Sequence, residues 1–178
     1  MSEHELKASE ITDAFIAAVR KTLAEGMRKI EHCADQLTDL QIWHRPRPEM
    51  NSIANLMLHL SGNLRQWIVS GIAGAKDVRN RPMEFFDRSN RPKHELLAIL
   101  KQTVSEADTA LKALTPATLL SRRQIQGYDV NAIEAIEHTI PHFRGHVQEI
   151  IHMTRQQLGE QYRFDFVPSK AQESAGGA

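Results

Sequence analysis

The chain has 178 residues, and its 41% hydrophobic content is enough for one continuous core. Its 22 Lys and Arg residues balance 22 Asp and Glu residues, so no excess positive charge attracts nucleic acid or an anionic membrane surface. Cys33 is the single cysteine, and the charged start of the chain lacks an apolar signal core; both features predict a cytoplasmic protein. We expect one domain over residues 1–168 and a disordered tail over residues 169–178.

The first predicted helix runs from about Leu6 to Leu40. Its apolar residues recur at steps of three and four, which places them on one face of a helix. These residues are Ile11, Phe15, Ala18, Val19, Leu23, Met27, Ile30 and Leu37. Pro46 and Pro48 then predict a loop, because each proline removes a backbone donor and biases the preceding residue towards extended geometry.

The second predicted helix is capped by Asn51 or Ser52 and ends near Gly71 and Gly74. Its inward residues are Ile53, Leu56, Met57, Leu60, Leu64, Trp67 and Ile68. The most apolar stretch of the chain, residues 53–75, includes this helix but is interrupted by polar side chains. It is therefore predicted to be a buried helix and not a membrane span.

A long crossover loop is predicted from Lys76 to Pro92, because this stretch is rich in Arg, Asn and Pro. The aromatic pair Phe85 and Phe86 would hold the crossover on the rest of the protein. The third helix follows, and its apolar residues keep the helical period from Glu95 to Leu114.

The stretch from Pro116 to Val130 is predicted to be a connector with Gly127 as its turn residue, in which a short extended pair can form. Asn131 then caps the fourth helix and Gly159 ends it. The predicted apolar stripe of this helix consists of Ile133, Ile136, Ile140, Phe143, Val147, Ile150, Ile151, Thr154 and Leu158. Four amphipathic helices with a long crossover between the second and third predict an all-α four-helix bundle.

Histidines supply the strongest functional signal in the sequence. Neutral imidazole is the commonest metal ligand, and two histidines four residues apart on a helix face the same direction. His142 and His146 have this spacing, but His138 lies one turn earlier, so spacing alone does not choose between the pairs 138/142 and 142/146. In the second helix, His59 lies among apolar residues on the inward face, which makes it a candidate third ligand.

The position of the helix-four pair predicts an accessible site. At about 100° per residue, His146 lies roughly 95° and His142 roughly 135° from the centre of the apolar stripe. We therefore expect the pair to face a groove at the edge of the bundle, where a substrate can reach it. A kink at Pro141 would rotate the first half of the helix further.

Two segments carry a resemblance to a known superfamily. They are Leu58-His59-Leu60-Ser61-Gly62-Asn63-Leu64-Arg65-Gln66-Trp67 and His142-Phe143-Arg144-Gly145-His146-Val147-Gln148-Glu149-Ile150-Ile151. With a helix-two histidine followed by a helix-four His-x-x-x-His, the chain resembles the DinB/YfiT-like superfamily over nearly its whole length. The resemblance implies a four-helix bundle, often dimeric, with three histidines on nickel, zinc or a similar ion and open positions for water or substrate.

By this resemblance, His59, His142 and His146 are the metal ligands and His138 is a neighbour. Some similar proteins are thiol-dependent S-transferases, in which the metal would bind and activate the thiolate of a small thiol. Three neutral ligands leave the charge of a divalent ion uncompensated and its other positions open, and such an ion can deprotonate water or a thiol.

Residues near the ligands in sequence are candidates for orienting an imidazole or holding a proton: Asn63, Gln148 and Glu149, together with His138. A set of arginines is predicted to be solvated on the surface and in loops, although one or two of them would meet an anionic substrate. This set is Arg65, Arg79, Arg81, Arg88 and Arg91.

The sequence therefore predicts a homodimeric, metal-dependent enzyme that acts on a small molecule, either a thiol-dependent transferase or a hydrolase. The alternative is a non-catalytic dimeric helical bundle with a structural or vestigial metal site. An open coordination position would distinguish the enzyme from that alternative.

Overall fold

The computed structural model describes residues 2–166 and confirms the four-helix bundle. The four long helices are α1 (Glu3–Gln36), α3 (Ile53–Leu64), α5 (Lys93–Lys112) and α7 (Ala132–Leu158). The short elements are α2 (Asp39–Trp43), α4 (Arg81–Phe86), α6 (Pro116–Leu120), β1 (Arg123–Ile125) and β2 (Tyr128–Val130). A π-helical segment, Arg65–Ser70, continues α3, and a 3₁₀ turn, Gly159–Gln161, follows α7. The tail predicted over residues 169–178 lies outside the described residues.

The helices begin at side chains that can satisfy their first free backbone amides. Ser52 caps α3 and Asn131 caps α7, in each case by accepting a hydrogen bond from the backbone N–H three residues later. Gly159 ends α7 with a φ of 55°, a conformation that glycine adopts without steric cost. The predicted first helix, by contrast, ends at Gln36 and not near Leu40, because Thr38 caps the separate helix α2.

The long helices form a ring in the order α1, α5, α3, α7, in which each helix packs on its two neighbours. Fully buried side chains from all four meet at the centre: Leu23 and Ile30 of α1, Leu56 and Leu60 of α3, Leu100 of α5, and Phe143 of α7. At Gly26 the first and last helices approach closely, since an added Cβ would lie 2.5 Å from Cε1 of Phe143. Within residues 2–166 no helix is long and apolar enough to cross a membrane.

The buried face of α7 differs from the predicted stripe in its first half. Ile133 is 39% exposed, whereas Ala135 and Thr139 are completely buried. These small residues were missed because the prediction weighted large apolar side chains. His146 lies about 20° around the helix from Thr139 at 100° per residue, so the histidine pair continues this small-residue face.

The crossover between α3 and α5 is not a loop throughout, because it contains the short helix α4. Asn55 of α3 is fully buried, and its Nδ2 donates to the carbonyl oxygens of Glu84 at 2.8 Å and Asp87 at 3.3 Å. Ser52 Oγ donates to Oδ1 of Asn55 at 2.6 Å and fixes the orientation of this amide. The crossover is thereby attached to α3 beside His59.

The connector between α5 and α7 contains the short extended pair that the sequence allowed. Strands β1 and β2 pair antiparallel, with Ile125 opposite Tyr128. The two turn residues, Gln126 and Gly127, have φ values of 53° and 83°, as a tight two-residue hairpin turn requires. Ile125 is buried against Trp67, so the hairpin packs over the π-helical end of the second long helix.

Candidate metal centre

The structure brings together His59, His142 and His146. His59 lies in the middle of α3 and is 5% exposed, while the other two are half-buried on successive turns of α7. One ligand atom from each imidazole lies within 4.8 Å of the others. His138, which spacing alone left as an alternative ligand, lies outside this cluster. The geometry therefore favours the pair 142/146.

The imidazole nitrogens are close to the spacing that a metal ion needs. Nε2 of His59 lies 3.0 Å from Nε2 of His142. Two nitrogens bound to one zinc at 2.0–2.1 Å with tetrahedral angles are about 3.3 Å apart. The ring centroid of His146 lies 4.6 Å from that of His142 and 5.1 Å from that of His59. The three ligand atoms therefore lie close enough together to hold one ion.

Glu84 of α4 orients the buried histidine. Its Oε2 accepts a hydrogen bond of 2.8 Å from Nδ1 of His59, which leaves the lone pair of that ring on Nε2, the atom facing His142. A carboxylate on the far nitrogen of a ligating imidazole fixes the ring and raises its basicity. The hydrogen bond thus prepares Nε2 of His59 for a metal.

Arg79 holds that carboxylate in its ionised form. Its Nε donates to Oε1 of Glu84 at 2.7 Å and its Nη2 donates to Oε2 at 2.9 Å. Burial by itself raises the pKa of Glu84, but the hydrogen bonds from Arg79 and His59 outweigh burial and lower that pKa. The Arg79 side chain is only 3% exposed, so the prediction that it belongs to a solvated arginine set was wrong.

Sequence reasoning missed Glu84 because the crossover has no periodicity that assigns its residues a buried side. Gly62 supplies a partial signal that another group lies against α3. A glycine inside a helix costs stability, and one reason to use it there is the close approach of another group. A Cβ added at Gly62 would lie 1.9 Å from Oε1 of Glu84. The glycine therefore makes room for the carboxylate.

On α7, Glu149 takes the equivalent position at a second ligand. Its Oε2 lies 2.8 Å from Nδ1 of His146, one helical turn away, and accepts from the ring. Gln148 faces the opposite side of the helix, where it lines a groove against α1 with Thr22 and Gly26. Of the two candidates that follow His146, the structure brings only Glu149 to the histidines.

His142 is kept neutral by its surroundings. Burial is the main cause, followed by the positive charge that His146 and His59 would contribute, and together they lower the pKa of His142 to about 4. Its Nδ1 is buried without a hydrogen-bond partner among the described residues. A neutral imidazole has a free lone pair, which is the form that binds metals.

The sequence of the chain matches, over residues 10–171, the family described as "Protein of unknown function (DUF1572)". The chain belongs to this family. Comparison with curated proteins gives no significant match.

Solved structures show that this DUF1572 member has a DinB-like fold. A DinB-like protein from Bacillus cereus ATCC 10987 has a TM-score of 0.63 at 14% identity, with 78% of this chain and 90% of that chain covered. A conserved protein from Enterococcus faecalis has a TM-score of 0.64 at 17% identity, with 78% of this chain and 94% of that chain covered. At these identities the comparisons show the fold, and the site rests on the geometry of this chain.

Beside the three histidines, this DinB-like bundle has an open cavity of about 400 Å³. Its lining residues are His59, Asn63, Arg79, Arg81, Gln126, His138 and His142. His138, predicted as a neighbour of the ligands, stacks on Trp67 with ring centroids 3.9 Å apart. Its ring is 6.3 Å from that of His142, so it forms a wall of the cavity and not part of the cluster.

Asn63, the other predicted neighbour, is 4% exposed in the cavity wall. Its Oδ1 is buried and accepts no hydrogen bond from any described residue. Leaving a buried polar group without a partner costs about 1–3 kcal/mol. A bound water, an ion or a catalytic role accounts for many such groups in native proteins.

Proposed function

We propose that the chain binds one divalent metal ion, nickel or zinc, through Nε2 of His59, His142 and His146, and that it is a metal-dependent enzyme. The observation that carries this proposal is the convergence of three imidazoles, two of which have a carboxylate on Nδ1. Carboxylate–histidine pairs of this kind are typical of ligating histidines. Three neutral nitrogen ligands suit either ion.

A bound ion would act as a Lewis acid that lowers the pKa of a water or a thiol at its remaining positions. The protein's own residues supply orientation and access. Glu84 and Glu149 hold two of the imidazoles, and Phe85 covers His59 with its ring centroid 4.8 Å away. The adjoining cavity offers space for a small substrate. This arrangement supports a thiol-dependent transferase or a hydrolase.

A second candidate is a non-catalytic bundle in which the histidines are structural. The separation of 3.0 Å between Nε2 of His59 and Nε2 of His142 is also the length of an N–H···N hydrogen bond. Nε2–H of His142 would then donate to His59, whose Nδ1–H donates to Glu84. Such a chain of hydrogen bonds holds α3, α4 and α7 together without a metal.

Metal content per chain separates the two candidates. Elemental analysis of tag-free protein, purified and then incubated with nickel or zinc, should give about one ion per chain. The variant His142→Ala/His146→Ala should lose the ion while retaining its helical circular dichroism. The matched control is His94→Ala/His152→Ala, which removes two exposed histidines and should keep the ion. An absence of metal in the wild type would refute the metalloenzyme and leave the structural bundle.

Catalysis needs a further measurement on the loaded protein. X-ray absorption at the metal edge should find three imidazole nitrogens and at least one further light-atom ligand, since a catalytic site keeps an open position. Thiol consumption and ester hydrolysis should then be screened with the loaded wild type and with folded His59→Ala. A closed coordination sphere made only of protein atoms would favour the structural role. Homodimer formation and the small-thiol substrate stay predictions.

A further inference from the structure

We infer that the cavity beside the three histidines recognises a small substrate that carries a carboxylate group, with Arg81 as the residue that pairs with it. The inference rests on the proposed function, because the metal ion of that proposal sets where the reacting group of the substrate lies. It depends on three residues of the cavity wall. Arg81 has no ionic partner among the described residues, the side-chain oxygen of Asn63 is buried without a hydrogen-bond partner, and the ring of His138 is stacked on Trp67.

The charged residues that line the cavity are both arginines, and only one of them is neutralised. Arg79 is bound by both oxygens of Glu84. Arg81 forms no ion pair with any residue that the structure describes, and its guanidinium lies over the Phe85 ring, 5.1 Å from the centroid. Because the lining includes no carboxylate among the described residues, the cavity has a net positive charge even before a metal binds.

Phe85 contacts both Arg81 and one of the candidate metal ligands. The guanidinium of Arg81 lies over the Phe85 ring, and the centroid of that ring lies 4.8 Å from the centroid of the His59 ring. Arg81 also lines the same cavity as His59 and His142, so a substrate held by Arg81 lies in the cavity that two of the candidate ligands border. A planar guanidinium matches the two oxygens of a carboxylate, whereas phosphate groups are usually bound by clusters of arginines.

Asn63 and His138 define the rest of the subsite. Asn63 lies one helical turn after His59, with its Oδ1 buried and unpartnered, so it can accept a hydrogen bond from a polar group of the substrate close to the metal. His138 is held flat by its stack on Trp67 and limits the cavity on the α7 side. These features fit a small polar acid better than a hydrophobic substrate.

Two probes that share a thiol at one end and carry either a carboxylate or a hydroxyl at the other end test this inference. They are 3-mercaptopropionate and 3-mercaptopropanol, each of which can bind a metal through sulfur. Titrated into the cobalt(II)-loaded chain and followed by visible absorption, the acid should bind roughly 3-fold more tightly than the alcohol, because Arg81 is exposed and solvent weakens its ion pair with a carboxylate. Arg81→Gln should bring the two affinities together, and Arg81→Lys should retain part of the preference. Arg47→Gln, which removes an exposed arginine outside the cavity, should behave as the wild type.

Equal affinities in the wild type, or a preference that survives Arg81→Gln, would overturn the inference while leaving the metal site intact. If the chain takes up no metal, the proposed function fails instead. The subsite is then tested in the metal-free chain with propionate and propanol, followed by NMR at the side chains of His138 and Trp67. A response to propionate that is lost in Arg81→Gln supports the subsite, and no response overturns it.

Discussion

Glu84 accepts a hydrogen bond of 2.8 Å from His59, although the two residues are 25 positions apart and belong to different helices. This contact joins the crossover to the candidate metal centre. The carboxylate of Glu84 is charged and nearly buried, and it forms an ion pair with Arg79. His59, Glu84 and Arg79 therefore form one chain of polar contacts in the wall of the bundle. The crossover therefore contributes to the site through its short helix.

Replacing Glu84 by glutamine tests this role. The variant keeps the size of the side chain but loses the negative charge that orients His59, so metal affinity should fall by about 10- to 100-fold. Arg79 would lose its ionic partner in a buried setting, and the free energy of unfolding should fall by about 3 kcal/mol. Competition with a chromogenic chelator measures the first effect and urea unfolding the second.

Glu149→Gln is the matched control for Glu84→Gln. Glu149 also lies 2.8 Å from a candidate ligand, but its side chain is 45% exposed and has no buried arginine behind it. We expect the same direction of change in metal affinity and almost no change in stability. If Glu84→Gln binds the metal as tightly as the wild type, Glu84 does not orient His59 for metal binding.

Local spacing was sufficient for the helices and for a histidine ladder on the last of them, whereas the choice of His142 and His146 over His138 came from the resemblance to a known superfamily. Helical periodicity places His142 and His146 on one face, and apolar neighbours place His59 on the inward side of α3. The orienting residues depend on tertiary contacts instead. Arg79 and Glu84 belong to a polar segment without periodicity, and only the folded chain shows that both are buried.

Gln148 shows the limit of proximity in sequence. It is two residues beyond His146, and two residues correspond to about 200° around a helix, so its side chain points away from the site. Glu149 is three residues beyond, about 300°, which returns it to the face of the histidine. The angle around the helix from His146, calculated from sequence, would have distinguished Gln148 from Glu149. The roles of Arg79 and Gly62, in contrast, could be assigned only once the position of α4 was known.

Two glycine-to-alanine substitutions in the site helices should have opposite effects. At Gly62 an added Cβ would lie 1.9 Å from Oε1 and 2.7 Å from Cδ of Glu84, so the carboxylate must leave its place between Arg79 and His59. Gly62→Ala should therefore lower the free energy of unfolding by about 1–3 kcal/mol and weaken metal binding.

Gly145 lies between His142 and His146 and has no atom within 4 Å of an added Cβ. Gly145→Ala should stabilise the protein by about 0.5–1 kcal/mol, because alanine loses less conformational freedom in a helix. Chemical denaturation and metal titration of both variants measure these effects. If Gly62→Ala has the stability and affinity of the wild type, the position of Glu84 against that glycine is refuted.

The stability of the metal-free chain should depend on pH through His142. Burial, followed by the charges of His146 and His59, lowers the pKa of this residue to about 4 from its ordinary value of 6.5. Between these two values the unfolded chain binds a proton at this position and the folded chain does not. The contribution is therefore complete above pH 6.5 and is lost as the pH falls towards 4, by about 3 kcal/mol in total, since each pKa unit corresponds to about 1.4 kcal/mol.

His142→Asn isolates this contribution, because asparagine does not titrate. Urea unfolding across that pH window, with a chelator present, should show a steeper loss of stability in the wild type than in the variant. His152→Asn removes an exposed histidine from the same helix and should retain the steep dependence of the wild type. Parallel profiles for the wild type and His142→Asn would mean that His142 is not kept neutral in the folded chain, and would contradict the burial of its ring against α3.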